Sequence, residues 1–560
     1  MTPLFLSKSI VNNNLLKALI LGFIFLVLGA CASKQPIVKT GGATATKPIP
    51  VPAKEPAPIP LPSLPEIPKN KGIFKVWEVD MVPSKREFRG IWIATVGNID
   101  WPSSSRDPFS KQKTDFINLL DYYQKMNFNA VIVQIRTSGD AFYPSRLAPW
   151  SKYLTGKEGQ KPLTDEDPLA WMILEAHKRG MEFHAWFNPY RATVDLDLKK
   201  LSPEHDYFKH PEWMIKYSNK YYYNPGLPAV QQHLTEVIRE VVQNYDVDAV
   251  HFDDYFYPYK VDKLVFDDLV SYKKHATTGQ KLEDWRRENV NKLISAVHQA
   301  IKYEKPWVQF GVSPFGVWRN NDKDPNGSKT RATSNFDDLY ADPITWMKNG
   351  WIDYLIPQLY WSMDYNLASY RELVQWWSKN NHATKIYIGN SPYKIRDNAD
   401  QAWNDPLEIP KQIDLTRTTS NISGNAYFSA RSLFVINKDV AEHIRINHYN
   451  KPASPPQFTP RNRMQLEDPE TPTIVPHKGG FALQYNARIN VSFRYALIHS
   501  AANLKTLSER SALMETKKVY LGSDNRTLIP LESGTNKKFI AISLVDHFGR
   551  ESTPAVFEIY

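Results

Sequence analysis

The chain has 560 residues, 42% of them hydrophobic and 23% charged, with a formal net charge of +10 and a single cysteine. That length exceeds one ordinary hydrophobic core, so two or more domains are expected, and the composition excludes a disordered chain. The lone cysteine excludes an intrachain disulfide, and the charge comes with no nucleic-acid-binding motif, so an anionic envelope polymer or membrane is expected rather than nucleic acid.

Lys8 and Lys17 flank or enter an apolar stretch, Leu15 to Leu28, which ends in Leu28-Gly29-Ala30-Cys31. Its length and flanks suit a secretory signal rather than a spanning helix. The small residues before Cys31 resemble a bacterial lipoprotein signal, which implies cleavage after residue 30 and a lipid on Cys31 that anchors the chain to a membrane. Ala32 stands where an aspartate would favour inner-membrane retention, so attachment to the outer membrane, facing the periplasm, is expected. Residues 31–72 are rich in proline, from Pro48, Pro50 and Pro52 through Pro56, Pro58, Pro60 and Pro62 to Pro65 and Pro68. Such a segment builds no core and stays extended, with an upper reach of ~120 Å.

Residues 73–450 alternate short apolar runs with amphipathic segments. Strands are expected at Phe88 to Val96, Ala130 to Arg136, Glu182 to Phe187, Ala249 to Asp253, Gln309 to Ser313, Tyr354 to Leu359, Lys385 to Gly389 and Asn425 to Ser429. Helices are expected between them, as at Thr114 to Met126, where Leu119, Leu120, Tyr123 and Met126 fall at helical spacing. Repeated strand-then-helix units predict a (β/α)8 TIM-like barrel. A doubly wound open sheet is the alternative, but no glycine-rich phosphate loop follows an early strand, and no cofactor is expected. Proline punctuation marks 451–472 as a linker. Residues 473–560 then carry short strands with few helices between them, which predicts a β-sandwich. There Ser543-Leu544-Val545-Asp546 before Gly549-Arg550-Glu551-Ser552 resembles the end of a fibronectin type III module.

The run Asp248 to Pro258 is the most telling, because a buried strand leads straight into Asp253 and Asp254. Carboxylates at the end of an apolar strand are costly unless they serve a site, and the carboxyl ends of barrel strands are where catalytic groups gather. Side chains alternate, so His251 and Asp253 share one face and Phe252 and Asp254 the other. With the His251 face inward, Asp253 is the nucleophile or stabilising carboxylate; Asp254 orients a neighbour, or replaces it if the strand ends in a bulge. At the second strand end, Arg136 is placed to keep a carboxylate ionised or bind a substrate oxygen, and Asp140 to fix a sugar hydroxyl. At the third, His184, Trp186 and Asn188 combine a stacking platform with hydrogen-bonding groups, a mixture that suits sugars. At the sixth, Gln358 and Tyr360 share a parity and Asp364 lies just beyond; its aromatic surroundings mark it as the expected general acid. Ser313 to Arg319, at the fifth, contains no glutamate. Tyr190, Arg191, Tyr255 and Trp361 complete the expected substrate-binding set.

Five ordered motifs carry a resemblance: R-E-F-R-G-I-W-I-A-T-V (86–96), S-G-D-A-F-Y-P-S with the following A-P-W-S-K-Y-L-T-G, H-A-W-F-N-P-Y-R (184–191), H-F-D-D-Y-F-Y-P and P-Q-L-Y-W. Over about Lys85 to Ile446 the chain resembles the glycosyl hydrolase-like 10 family. The resemblance implies a glycosidase acting on peptidoglycan glycan strands, peptide-free ones, in cell division; the residues alone indicate a sugar-processing barrel. Two rival readings stand beside the hydrolase. One is a metal-dependent deacetylase with His184, His251 and Asp253 as ligands, although no H-x-x-E-H or H-E-x-x-H spacing is present. The other is a glycan-binding protein without catalysis.

Overall fold

Eight parallel strands close a barrel in sequence order, each hydrogen-bonded to its chain neighbour and the last to the first. They are β1 (Phe88–Ile93), β2 (Ala130–Arg136), β3 (Glu182–Phe187), β4 (Ala249–Phe252), β5 (Gln309–Val312), β6 (Tyr354–Leu355), β7 (Lys385–Asn390) and β8 (Ile422–Tyr427). The computed structural model describes residues 74–459, 473–477, 480–484, 493–510, 515–522, 526–530 and 538–559. Cys31, its apolar leader and the whole proline-rich segment lie outside them, as does 460–472 of the expected linker. The helices that follow the strands are α1 (Phe109–Lys125), α2 (Pro168–Lys178), α3 (Pro228–Asn244), α4 (Leu282–Glu304), α5 (Pro343–Lys348), α6 (Tyr370–Lys379), α7 (Glu408–Thr418) and α8 (Lys438–Asn447). Local signals start them: Asp167 accepts from Leu169 N and Ala170 N ahead of Pro168, and Ser369 accepts from Glu372 N.

The strands are apolar on both faces because both are covered. Outward residues such as Val131, Val133 and Ile135 join the large cluster under the helices, while Phe88, Ile132, Tyr354 and Tyr387 fill the interior. Phe88 stacks on Tyr387 with ring centroids 4.0 Å apart. Gly311 on β5 is required there, since a Cβ would collide with the Tyr354 ring.

The C-terminal part forms two antiparallel sheets. One has five strands in the order 74–77, 555–559, 539–546, 493–501 and 515–520, and the other three, in the order 473–477, 480–484 and 526–530. The strand Phe74–Trp77, at the start of the range expected for the barrel, therefore belongs to the C-terminal sheet. Residues 451–459, at the start of the expected linker, form a bonded strap: Asn129 Nδ2 donates to Ala453 O at 2.9 Å, and Phe458 N to Phe548 O at 2.9 Å.

Candidate active site

All eight strands send residues into one cleft of about 590 Å³ at the carboxyl end of the barrel, the end where barrel enzymes assemble their sites. Trp92 comes from β1, Gln134 from β2, Trp186 from β3 and Ser313 from beyond β5; Gln358, Tyr393 and Phe428 follow β6, β7 and β8. Asp253 and Asp254 follow β4. The strand ends at Phe252 and the chain bends at Asp254, so the alternation stops and both carboxylates line the cleft. Among the described residues they are its only carboxylates.

The two are held differently. Asp253 Oδ2 accepts from Trp186 Nε1 at 3.2 Å and Asn188 Nδ2 at 3.3 Å, while Oδ1 faces Tyr255 N at 3.4 Å. Burial and the neighbouring charge of Asp254 push its carboxyl up to about 7, against the opposing pull of Arg191. Burial also raises Asp254, but the Tyr259 hydroxyl and the Gln358 amide donate to it and favour its charged form. The Arg191 guanidinium lies over the Tyr255 ring, 4.3 Å from its centroid. Both carboxyls are thus raised by burial, and so close together they titrate as a pair, with Asp254 the better supplied with donors to its charged form.

The profile of the glycosyl hydrolase-like 10 family matches residues 87–405. The chain belongs to that family. "Glycosyl hydrolase YngK" of Bacillus subtilis (strain 168) is 43% identical over 466 residues, covering 81% of this chain and 90% of that protein. "Glycosyl hydrolase DigH" of Escherichia coli (strain K12) is 39% identical over 368 residues, 62% of this chain and 83% of that protein. The solved PgaB (BpsB) glycoside hydrolase domain from Bordetella bronchiseptica aligns with a TM-score of 0.41 at 12% identity, over 65% of this chain and 98% of that chain.

Within the glycosyl hydrolase-like 10 barrel, Trp186, Asn188, Arg191, Tyr255, Gln358, Tyr360 and Trp361 line the cleft or bond to its carboxylates. Several other expected residues do not. Arg136 is turned away because the pairing slips between Gln134 and Arg136, which puts Arg136 opposite the outward Phe187. Its guanidinium donates to Asp140 O and Tyr223 Oη, both at 3.3 Å, so the cation beside Asp253 is Arg191. Asp140 caps its own loop, accepting from Thr137 N and Ser138 N at 2.9 Å. Tyr190 is buried in the cluster outside the strands.

His184 and His251 lie inside the barrel beneath the cleft. Their Nδ1 atoms approach the Tyr354 hydroxyl at 2.8 and 3.0 Å, while Nε2 of His184 meets Glu182 at 3.0 Å and that of His251 meets Ser313 Oγ at 2.9 Å. The rings are therefore committed to a buried chain, and the metal set of the deacetylase reading is not assembled. Among the described residues no three His, Cys, Asp or Glu side chains converge on a metal position.

Asp364 requires the largest correction. Its side chain is 73% exposed and paired with Arg371 Nε at 3.1 Å, in a separate hollow beyond the cleft. The desolvation expected of a general acid is absent there. Conversely, Trp92, Tyr259, Tyr393, Lys394 and Phe428 line the cleft without having been singled out from the sequence. Tyr259 alone had a usable signal, as a hydroxyl in the aromatic run after Asp254; Phe428 lies beyond the matched segment.

Proposed function

We propose that the protein is a glycoside hydrolase that cuts peptidoglycan glycan strands, peptide-free ones, during cell division, from a lipid anchor on Cys31 in the outer membrane facing the periplasm. The observation that carries the reaction is the Asp253–Asp254 pair in an aromatic cleft, both carboxyls raised by burial and each held by different donors. Family membership and relatives named glycosyl hydrolases support the reaction class. The polymer and the place rest on the motif resemblance, the lipoprotein-like leader and the long proline-rich tether. The two C-terminal sheets are the halves of an accessory, fibronectin type III-like sandwich.

In this reading Asp253 protonates the leaving oxygen as the bond breaks. Asp254, whose charged form Tyr259 and Gln358 favour, faces the positive charge that develops at the anomeric centre. The two carboxylates are sequence neighbours rather than an opposed pair flanking the bond. The attacking group is therefore the sugar's own 2-acetamido oxygen, oriented by Asp254, and it bonds to the anomeric carbon as the glycosidic bond breaks. Water, deprotonated by Asp253, then attacks that carbon, opens the cyclic intermediate and restores the acid. Trp186, Tyr360 and Phe428 supply apolar faces to the ring. Mass spectrometry of products from purified peptide-free strands tests the proposal, with new reducing ends expected, and time-resolved proton NMR of the first-formed product should show retained anomeric configuration. Binding without release of reducing ends would make the protein a glycan-binding one instead. Cys31→Ser should abolish lipidation and leave the leader uncleaved, read from the intact mass of the mature protein; an unlipidated, processed mass in the unsubstituted protein would remove the anchor.

A further inference from the structure

The cleft does not end at Tyr360. A second hollow of about 1070 Å³ adjoins it and shares three of its wall residues, Tyr360, Trp361 and Lys394. Trp361 and Tyr365 are half-exposed along this hollow, offering rings on which further sugar units can stack.

Lys394 is the unusual member of that shared wall. Its ammonium donates to Tyr360 O at 2.5 Å, which uses one of three donors. The other cations of the hollow are committed, Arg371 to Asp364 at 3.1 Å and Lys411 to Asp405 at 2.6 Å. Asp400 is the acid that Lys394 feels, but its oxygens accept from Ser362 Oγ at 2.5 Å and Ala402 N at 3.1 Å. Among the described residues no carboxylate closes an ion pair on Lys394. A half-buried ammonium with donors to spare, on the wall between two sugar-sized hollows, is a ready partner for an anion carried by the ligand.

We propose that the second hollow continues the glycan-binding cleft, and that Lys394 selects chains bearing a free carboxylate by pairing with it as the chain passes from one hollow to the other. The inference rests on the glycan-hydrolase reading of the cleft and adds to it a specificity-determining residue and a further binding region.

Calorimetric titration of the full-length protein carrying Asp253→Asn, so that chains are not cut, tests it. The probes are peptide-free peptidoglycan strands with free lactyl carboxylates, the same strands with those groups converted to methylamides, and chitin oligosaccharides of matched length. The free-acid strands should bind about tenfold more tightly than either neutral chain. Adding Lys394→Met should collapse that preference to within about twofold, and adding Lys394→Gln, which keeps a donor for Tyr360 O, should do the same. Equal affinity for the three probes, or a preference that survives both substitutions, would overturn the role of Lys394. Ala402→Trp, which obstructs the second hollow, should weaken long strands about tenfold more than short ones, and an equal effect on both would overturn the continuation. Reducing-end assays on the unsubstituted protein report separately on hydrolysis. Their failure would end the hydrolase reading while leaving the carboxylate preference measurable.

Discussion

The state of one proton decides the chemistry at Asp253. Replacing the acid by an amide that cannot donate should lower glycan turnover by about 10²- to 10⁴-fold, with circular dichroism and glycan binding retained; near-native turnover would remove Asp253 from the reaction. The same substitution should act on stability with a defined sign. The folded-state pKa, about 7, lies above the unfolded value of about 3.9, so the stability contributed by the protonated form is complete below the unfolded value and lost as pH rises through the folded one. Asp253→Asn escapes that loss and should therefore raise Tm more at about pH 8 than at about pH 5. Tyr259→Phe tests the partner: without the hydroxyl that favours ionised Asp254, the acid limb of kcat/KM should move to higher pH. An unmoved limb would place Tyr259 outside the site's electrostatics. Asp253 and Asp254 were legible in the sequence because charges at the end of a buried strand have a strong reason to be there. Arg136 and Asp364 were misread because a residue's direction after a register slip, and a loop carboxylate's exposure, depend on contacts that no local pattern encodes.

At the scale of elements, the apolar runs located the barrel well, since a parallel strand covered on both faces reads as a continuous hydrophobic segment. β6 departs furthest, expected through Leu359 but ending at Leu355, while β1 stops at Ile93 rather than Val96 and β8 runs Ile422–Tyr427 rather than 425–429. Pro357 has no N–H to donate, and Gln358 rejoins its neighbours through isolated bridges to Phe315 and Gly389. The six-residue helix α5 was not singled out, having too few turns for a clear apolar period, and neither were α7 and α8. Entry into β1 also depends on an ion network that sequence could not join, because Arg417 lies on α7. Glu87 accepts from Arg417 Nε at 2.7 Å and from Arg89 Nη2 at 2.7 Å. Burial alone would raise its carboxyl, but the Arg417 and Arg89 guanidiniums pull it down to about 2. A depressed pKa contributes stability above the unfolded value that is lost as pH falls through the folded one. Glu87→Gln should therefore cost about 3 kcal/mol near neutrality, and the gap from the unsubstituted protein should close as pH falls from about 5 towards about 2. Urea unfolding across that range checks it, and a gap that widened in acid would contradict the assignment.

For the whole molecule, the C-terminal sheet is tied to the barrel end opposite the cleft by groups from distant parts of the chain. Arg494, on the strand 493–501, pairs with Asp246 and Asp248 just ahead of β4. Asp248 also accepts from Phe183 N at 2.7 Å and meets His177 Nε2 at 2.8 Å, so it fixes the starts of β3 and β4 together. Around this core Lys518 Nζ donates to Gly180 O at 2.8 Å and Tyr495 Oη to Met181 O at 3.3 Å. Asp248 opens the run that pointed to the active site, yet its role as the anchor for Arg494 had no sequence signal, because the two are 246 positions apart. Their side chains are only 8% and 3% exposed, so removing the cation leaves a buried carboxylate held by Phe183 N and His177 but without a guanidinium. Arg494→Met should destabilise the protein by about 3 kcal/mol, read from denaturant unfolding. Adding Asp248→Asn removes the stranded charge, so the double variant should lose less than the sum of the two single losses, a coupling of about 1 kcal/mol or more. Strictly additive losses would show that the ion pair does not join the sheet to the barrel. A larger drop in cleft activity than in stability would mean instead that the sheet sets the register of β3 and β4 at the carboxylate end.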